Sequence, residues 1–182
     1  YEGNLWVASS RHGVMKLAKS DFHNLFDEAG LKGTVVNCVT NYNGNWYCGT
    51  DSGLIIIDGE TLNPIENKLT SMLSGVRIRS TLIDSSYNLW LGSYGETGLI
   101  RYHNNEEIKN FTPHQDAITN DRFSCLIELN DGTIAAGTSN GINLVSGGSI
   151  VSTITQKDGL ENPQILCLAT NVDGKLYAGS DG

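Results

Sequence analysis

One turn-and-strand unit recurs five times along the chain, and its period constrains the fold more than any other feature. The unit reads GNLWVASSRHGV from Gly3, GNWYCGTDSGL from Gly44, YNLWLGSYGETGL from Tyr87, GTIAAGTSNGI from Gly132 and GKLYAGSDG from Gly174. Successive anchors lie 41, 43, 45 and 42 residues apart. Five positions after each anchor stands a small residue, Ala8, Gly49, Gly92, Gly137 or Gly179, and a hydroxyl always follows it: Ser9, Thr50, Ser93, Thr138 or Ser180. Two positions before the small residue stands Trp6, Tyr47, Trp90, Ala135 or Tyr177. A second glycine then opens the next element in four copies, at Gly13, Gly53, Gly98 and Gly141. A period in the low forties with several short strands per unit is the pattern of a β-propeller, each repeat supplying about one four-stranded blade.

Each copy divides into strands. Inner strands are expected at Val35 to Thr40, Arg79 to Ile83, Phe123 to Glu128 and Ile165 to Thr170, alternating or continuously apolar as strands buried on both faces should be. Asn43-Gly44, Asp131-Gly132 and Asp173-Gly174 tolerate positive φ and predict hairpins to a second strand. That second strand carries the aromatic, which is expected to pack between blades, and ends at the small residue. A third strand covers Met15 to Leu17, Ile55 to Ile57, Ile100 to Tyr102 and Asn143 to Val145. The fourth is the least regular, as an edge strand should be. The fold class is therefore all-β: a propeller segment with blades at 31–72, 73–117 and 118–160, flanked by partial blades at 1–30 and 161–182. Closed propellers usually have four to eight blades, so the chain is expected to be a segment of a longer ring, the alternative being two chains that complete each other's ring. One stretch has another period: Phe22, Leu25, Phe26 and Ala29, with Ser20 as N-cap and Gly30 past the end, predict a short helical turn.

Cys38, Cys125 and Cys167 occupy nearly the same place in successive inner strands, with Thr81 in the remaining copy. That pattern is expected of a small packed site. A tight turn at Asn43-Gly44 sets Val39, not Cys38, opposite Cys48, which argues against a disulfide. No paired Cys or His spacing supports a metal, and no phosphate-cradling glycine loop or nucleophile elbow is present, so neither cofactor nor catalysis is expected.

The stretches DGLENPQILCLATNVDGKLYAGS and GNLWVASSRHGVMKL resemble the two-component regulator propeller repeat: a Gly-Leu turn, an inner strand, an Asp-x-x-Gly-Asn-Leu-Trp turn and strand, then Gly-Thr and a Gly-Leu opening. The resemblance covers essentially the whole chain, with Tyr87, Ala135 and Ala8 departing from it. It implies the periplasmic or extracellular sensor part of a membrane-anchored bacterial regulator whose output is a histidine kinase or diguanylate cyclase. A non-catalytic, ligand-sensing segment is implied, with a homodimer of the full-length protein left open. Propellers also serve as lyases and lactonases, and as scaffolds for protein contacts; these are the alternatives.

Charge narrows the partners. Twelve basic against 20 acidic side chains give a formal charge of −8, which provides no electrostatic basis for gripping nucleic acid. No apolar run approaches the roughly 18 residues of a membrane span, so direct membrane contact by this segment is not expected. Recognition is expected at loops. The second-to-third-strand loops carry Arg11, His12, Asp51, Tyr94 and Glu96, and the links between blades carry Arg77, Arg79, His114, Arg122 and Asn162. The loop around Tyr94-Gly95-Glu96-Thr97 is two residues longer than its counterpart at Asp51-Ser52. Arginine and tyrosine in such loops suit a small polar ligand, such as a carbohydrate fragment or a carboxylate, or a partner domain.

Overall fold

The computed structural model describes residues 5–9, 13–17, 24–31, 33–103 and 107–180. The chain divides into two compact units, Tyr1–Lys32 and Gly33–Gly182.

In the first unit β1 (Leu5–Ser9) pairs antiparallel with β2 (Gly13–Leu17), and a single helical turn, α1 (Leu25–Glu28), follows. The helical periodicity is thus realised, but its cap is Asn24, whose side chain accepts the Asp27 N–H at 3.2 Å. Ser20 and Phe22 lie outside the described residues. Gly30, at φ 75°, ends the turn as expected.

The second unit holds three four-stranded antiparallel sheets and one two-stranded sheet. The first comprises β3 (Val36–Tyr42), β4 (Asn45–Thr50), β5 (Leu54–Ile57) and β6 (Pro64–Ile65). The helix α2 (Lys68–Met72) then leads to β7 (Arg77–Ile83), β8 (Leu89–Tyr94), β9 (Leu99–His103) and β10 (Glu107–Phe111). The third sheet runs β11 (Phe123–Glu128), β12 (Ile134–Thr138), β13 (Gly141–Ser146) and β14 (Ser149–Ile154), and β15 (Ile165–Thr170) pairs with β16 (Leu176–Ser180). Each sheet is a simple meander, and β3, β7, β11 and β15 pack against one another in succession. This is the propeller arrangement that the repeat predicts.

Apolar layers between neighbouring sheets hold the stack. Leu89 and Leu91 of β8 turn toward the first sheet, where they join Tyr42, Tyr47 and Ile56; Trp90 between them turns the other way, toward Phe123 and Ile134. A strand with a packed sheet on each side must be apolar at every position, which is why the second strands read as continuous runs. Tyr47 and Trp90 are buried as expected, but Tyr177 is 54% exposed, because no third strand pairs with β16 among the described residues. The side chain of Trp6 lies outside what is described.

The repeat's Gly-hydroxyl pair has a physical function. Thr50, Ser93 and Thr138 each donate a side-chain hydrogen bond to the carbonyl of the glycine just before or at the start of the third strand, Gly53, Gly98 and Gly141, at 2.8, 2.6 and 2.9 Å. All three hydroxyl residues are fully buried, and the bond closes the second hairpin of each sheet. Opposite the preceding glycine sits the cysteine position: Cys38 pairs with Gly49, Cys125 with Gly137 and Cys167 with Gly179. In the remaining sheet the partner of Gly92 is Ser80, not Thr81. The reason is loop length. Asn43-Gly44 is a two-residue turn with both φ values positive, whereas the turns ending at Tyr87, Gly132 and Gly174 hold three residues, only the last at positive φ. One extra residue shifts the alignment from Thr81 to Ser80.

Val39 faces Cys48 in register, and all four thiols are free. Burial pushes the Cys48 thiol up to about 11 and also raises Cys38 and Cys125, so these sulfurs stay protonated near neutrality. Cys167 is exposed. Iodoacetamide at neutral pH is therefore expected to alkylate Cys167 first and Cys48 only on unfolding, as read by peptide mass spectrometry. Early labelling of Cys48 would contradict its packing.

Candidate functional site

Antiparallel meanders place the second-to-third-strand hairpins and the links between sheets at one end of the unit. At that end every inner strand carries a register shift: at Asn37 in β3, Arg79 in β7, Ser124 in β11 and Leu166 in β15. A bulge turns the extra residue out of the ladder and re-aims its side chain. Asn37 and Ser124 use that freedom alike, each donating to the carbonyl of the residue just before the bulge in the next sheet's inner strand, Ile78 and Ile165 respectively.

Around the first two bulges the polar side chains converge. The Asn37 amide donates to Asp51 Oδ1 at 2.8 Å and to the Ile78 carbonyl at 3.1 Å, while its own oxygen accepts from Arg79 Nη1 at 3.0 Å. Asp51 Oδ1 also meets Arg77 Nε at 2.8 Å. The guanidinium carbons of Arg77 and Arg79 each lie 5.6 Å from the centre of the Tyr94 ring, within cation–π range. Tyr94 is paired with Arg77 in the β7–β8 ladder and bridges to Arg122 on its other side. The link that carries Arg122 is tied down by Gly95 N–H to the Asp121 carbonyl at 3.0 Å and Ser139 N–H to the Arg122 carbonyl at 3.1 Å.

Two guanidinium groups, those of Arg77 and Arg79, thus flank one carboxylate in a chain whose formal charge is −8. The Asn37 hydrogen bond, followed by the neighbouring Arg77, holds the Asp51 carboxyl below the ordinary carboxylate range, so it stays ionised at neutral pH. The Arg77–Asp51 pair is nearly half exposed on both sides, and such pairs add little to stability. Their effect is on position: Asn37 and Asp51 together fix two arginine heads beside the tyrosine.

Of the ten residues nominated from sequence, Asp51, Arg77, Arg79 and Tyr94 are in mutual contact, and Arg122 adjoins them through the Tyr94 bridge. Glu96 and His114 are exposed on the same set of loops and links. Asn162 lies in the link before β15, where its oxygen accepts the Gln164 N–H at 2.9 Å, a turn repeated by Asn120 and Arg122. Arg11 and His12 lie outside the described residues. Asn37, the residue on which the cluster is organised, was not nominated; its signal was a lone amide within the apolar run Val35-Val36-Asn37-Cys38-Val39. Among the described residues no three His, Cys, Asp or Glu side chains are grouped to hold a metal ion.

A cavity of about 220 Å³ opens at the opposite end, between the second and third sheets, lined by Asp84, Asn88, Arg101 and the Gly147-Gly148 turn. Its carboxylate is already committed: Asp84 accepts from Asn88 N–H, the Asn88 amide and Trp90 Nε1.

No protein-family model matches the chain, and no curated protein matches it. Solved structures do. The extracellular domain of BT4673 from B. thetaiotaomicron, described as a one-component and as a hybrid two-component system, superposes with a TM-score of 0.71 at 18% identity, covering 100% of this chain and 24% of that one. The extracellular domain of BT3049 from the same organism, described as a hybrid two-component system, gives 0.53 at 16% identity, with 98% and 31% covered. Virginiamycin B lyase from Staphylococcus aureus gives 0.61 at 11% identity, with 97% and 56% covered. The likeness is one of fold, and the chain spans about a quarter of the BT4673 domain.

Proposed function

We propose that this chain is part of the ligand-sensing, extracytoplasmic propeller of a bacterial two-component regulator or diguanylate cyclase, and that the cluster around Tyr94 is its recognition surface. One observation carries the reading: residues far apart in sequence, chosen for their loop positions, meet in a pre-ordered polar group at one end of a rigid stack. Rigid strands that hold unfilled donors at their loop ends suit binding. Extracellular domains of hybrid two-component systems among the structures of similar fold support the sensor role over catalysis. The lyase likeness supports a second reading, an enzyme built on the same face. In the cluster, however, Asp51 is the lone carboxylate, and its oxygen is taken up by Asn37 and Arg77.

The test is a thermal-shift screen of this chain against soluble neutral and acidic mono- and oligosaccharides. A compound that raises Tm in the wild type is expected to lose about tenfold or more in affinity with Arg79→Ala, while the melting of the free protein changes little. A hit that binds Arg79→Ala and Tyr94→Ala as well as it binds wild type would remove the assignment of the surface. Turnover of a hit, with an order of magnitude or more lost on Asp51→Ala, would favour the enzyme.

A further inference from the structure

We infer that the Tyr94 cluster takes a small carboxylate-bearing ligand, and that Asp51 is a built-in competitor for the same guanidinium groups; this rests on the recognition surface proposed above. A guanidinium offers five N–H donors in a planar fork. Arg77 uses its Nε on Asp51 and Arg79 uses its Nη1 on Asn37. Most of the donor capacity of two arginines is therefore uncommitted at one spot beside Tyr94. An anion is the complement of that spot, and a planar carboxylate matches the fork better than a spherical ion does.

Ligand size follows from the rest of the chain. With a formal charge of −8 the molecule repels extended polyanions at long range, whereas a single carboxylate within a few ångströms of two cations feels mainly those cations. Tyr94 adds an aromatic ring beside the charge, which suits a carboxylate carried on a hydroxylated frame.

Asp51 already demonstrates the fit. Its carboxylate lies 2.8 Å from Arg77 Nε, on a hairpin loop and nearly half exposed, where such a pair exchanges at low cost. An incoming carboxylate must displace it from Arg77 or bind alongside it against its charge. Asp51 thereby sets the ligand concentration at which the surface fills. Asparagine at this position keeps an oxygen for the Asn37 amide, so the local scaffold is retained while the competing charge is removed.

The probe pair is D-glucuronate and D-glucose, which differ in one carboxylate, titrated into 15N-labelled wild-type protein, Asp51→Asn and Arg79→Gln. Glucuronate is expected to shift the Arg79 and Gly95 amides and glucose is not. Affinity is expected to rise about three- to tenfold in Asp51→Asn, to fall about tenfold in Arg79→Gln, and to weaken with added salt. Unchanged or weaker glucuronate binding in Asp51→Asn, or no response in any of the three proteins, would overturn the inference. Equal responses to both sugars at these amides would overturn it while leaving the recognition surface intact. Responses confined to amides elsewhere in the molecule would remove both.

Discussion

Replacing Trp90 by alanine is expected to lower the unfolding free energy by about 3–5 kcal/mol, as for other fully packed aromatic side chains. The indole is 3% exposed, stacks on Phe111 with ring centres 5.8 Å apart, and fills the layer between the second and third sheets. Its Nε1–H donates to Asp84 Oδ2 at 2.7 Å, and the same carboxylate accepts the Asn88 N–H at 2.8 Å. One carboxylate therefore ties the β7–β8 turn to the aromatic of the repeat. Trp90→Phe separates the two contributions: packing is largely kept, and about 1.5–3 kcal/mol is lost with the hydrogen bond to the charged group. Urea denaturation followed by circular dichroism measures both values. A loss below about 1 kcal/mol for Trp90→Ala would show that the layer does not depend on this side chain, and glucuronate binding lost without any change in stability would make Trp90 part of the recognition surface.

The same residues mark where sequence reasoning reaches the structure and where it stops. Strand identity was legible because each inner strand is followed by a turn whose chemistry is local: Asn43-Gly44 demands positive φ at both positions and takes it. Tyr87 was less legible, since it holds the left-handed position, at φ 62°, that Gly44, Gly132 and Gly174 fill in three of the other copies. Its carbonyl accepts from the buried Tyr42 hydroxyl at 3.1 Å, a bond from the adjacent sheet that no local pattern announces. The assignment of Thr81 to the cysteine position failed for a related reason, because counting from an anchor cannot tell a two-residue loop from a three-residue one.

Long-range packing hid the remainder. The helix α2 is capped by Asn67 and Thr70 in a reciprocal capping box, yet what makes its five residues helical is burial of Leu69 and of Leu73 just beyond it against the first sheet. Arg77, Arg79 and Tyr94 could be nominated from loop position alone. Their common dependence on Asn37 could not, because the bulge that frees Asn37 from the ladder is a property of two strands together.

Gly137→Ala is expected to cost about 2–3 kcal/mol, a large effect for one methyl group, and the reason is contact rather than backbone conformation. A Cβ at Gly137 would lie 2.6 Å from Cys125 Sγ across the ladder and 2.7 Å from Ile165 Cγ2 of the next sheet. Overpacked positions of this kind yield only through shifts of both neighbours. Gly49 repeats the arrangement with Cys38 and Ile78 at 2.5 and 2.7 Å, and Gly92 repeats it with Ser80 and Phe123 at 2.3 and 2.9 Å. Each four-stranded sheet thus sets a glycine against a Cys or Ser of its own inner strand and the first apolar side chain of its neighbour, and the spacing between sheets depends on that fit. Cys125→Ala removes one of the two obstacles to the new methyl. In the double variant Cys125→Ala/Gly137→Ala, destabilisation is expected to fall short of the sum of the single effects by about 1 kcal/mol, measured by urea denaturation of all four proteins. Strict additivity would mean that the sulfur does not crowd the glycine, and that the Cys–Gly pairing of the repeat has no part in setting how closely the sheets stack.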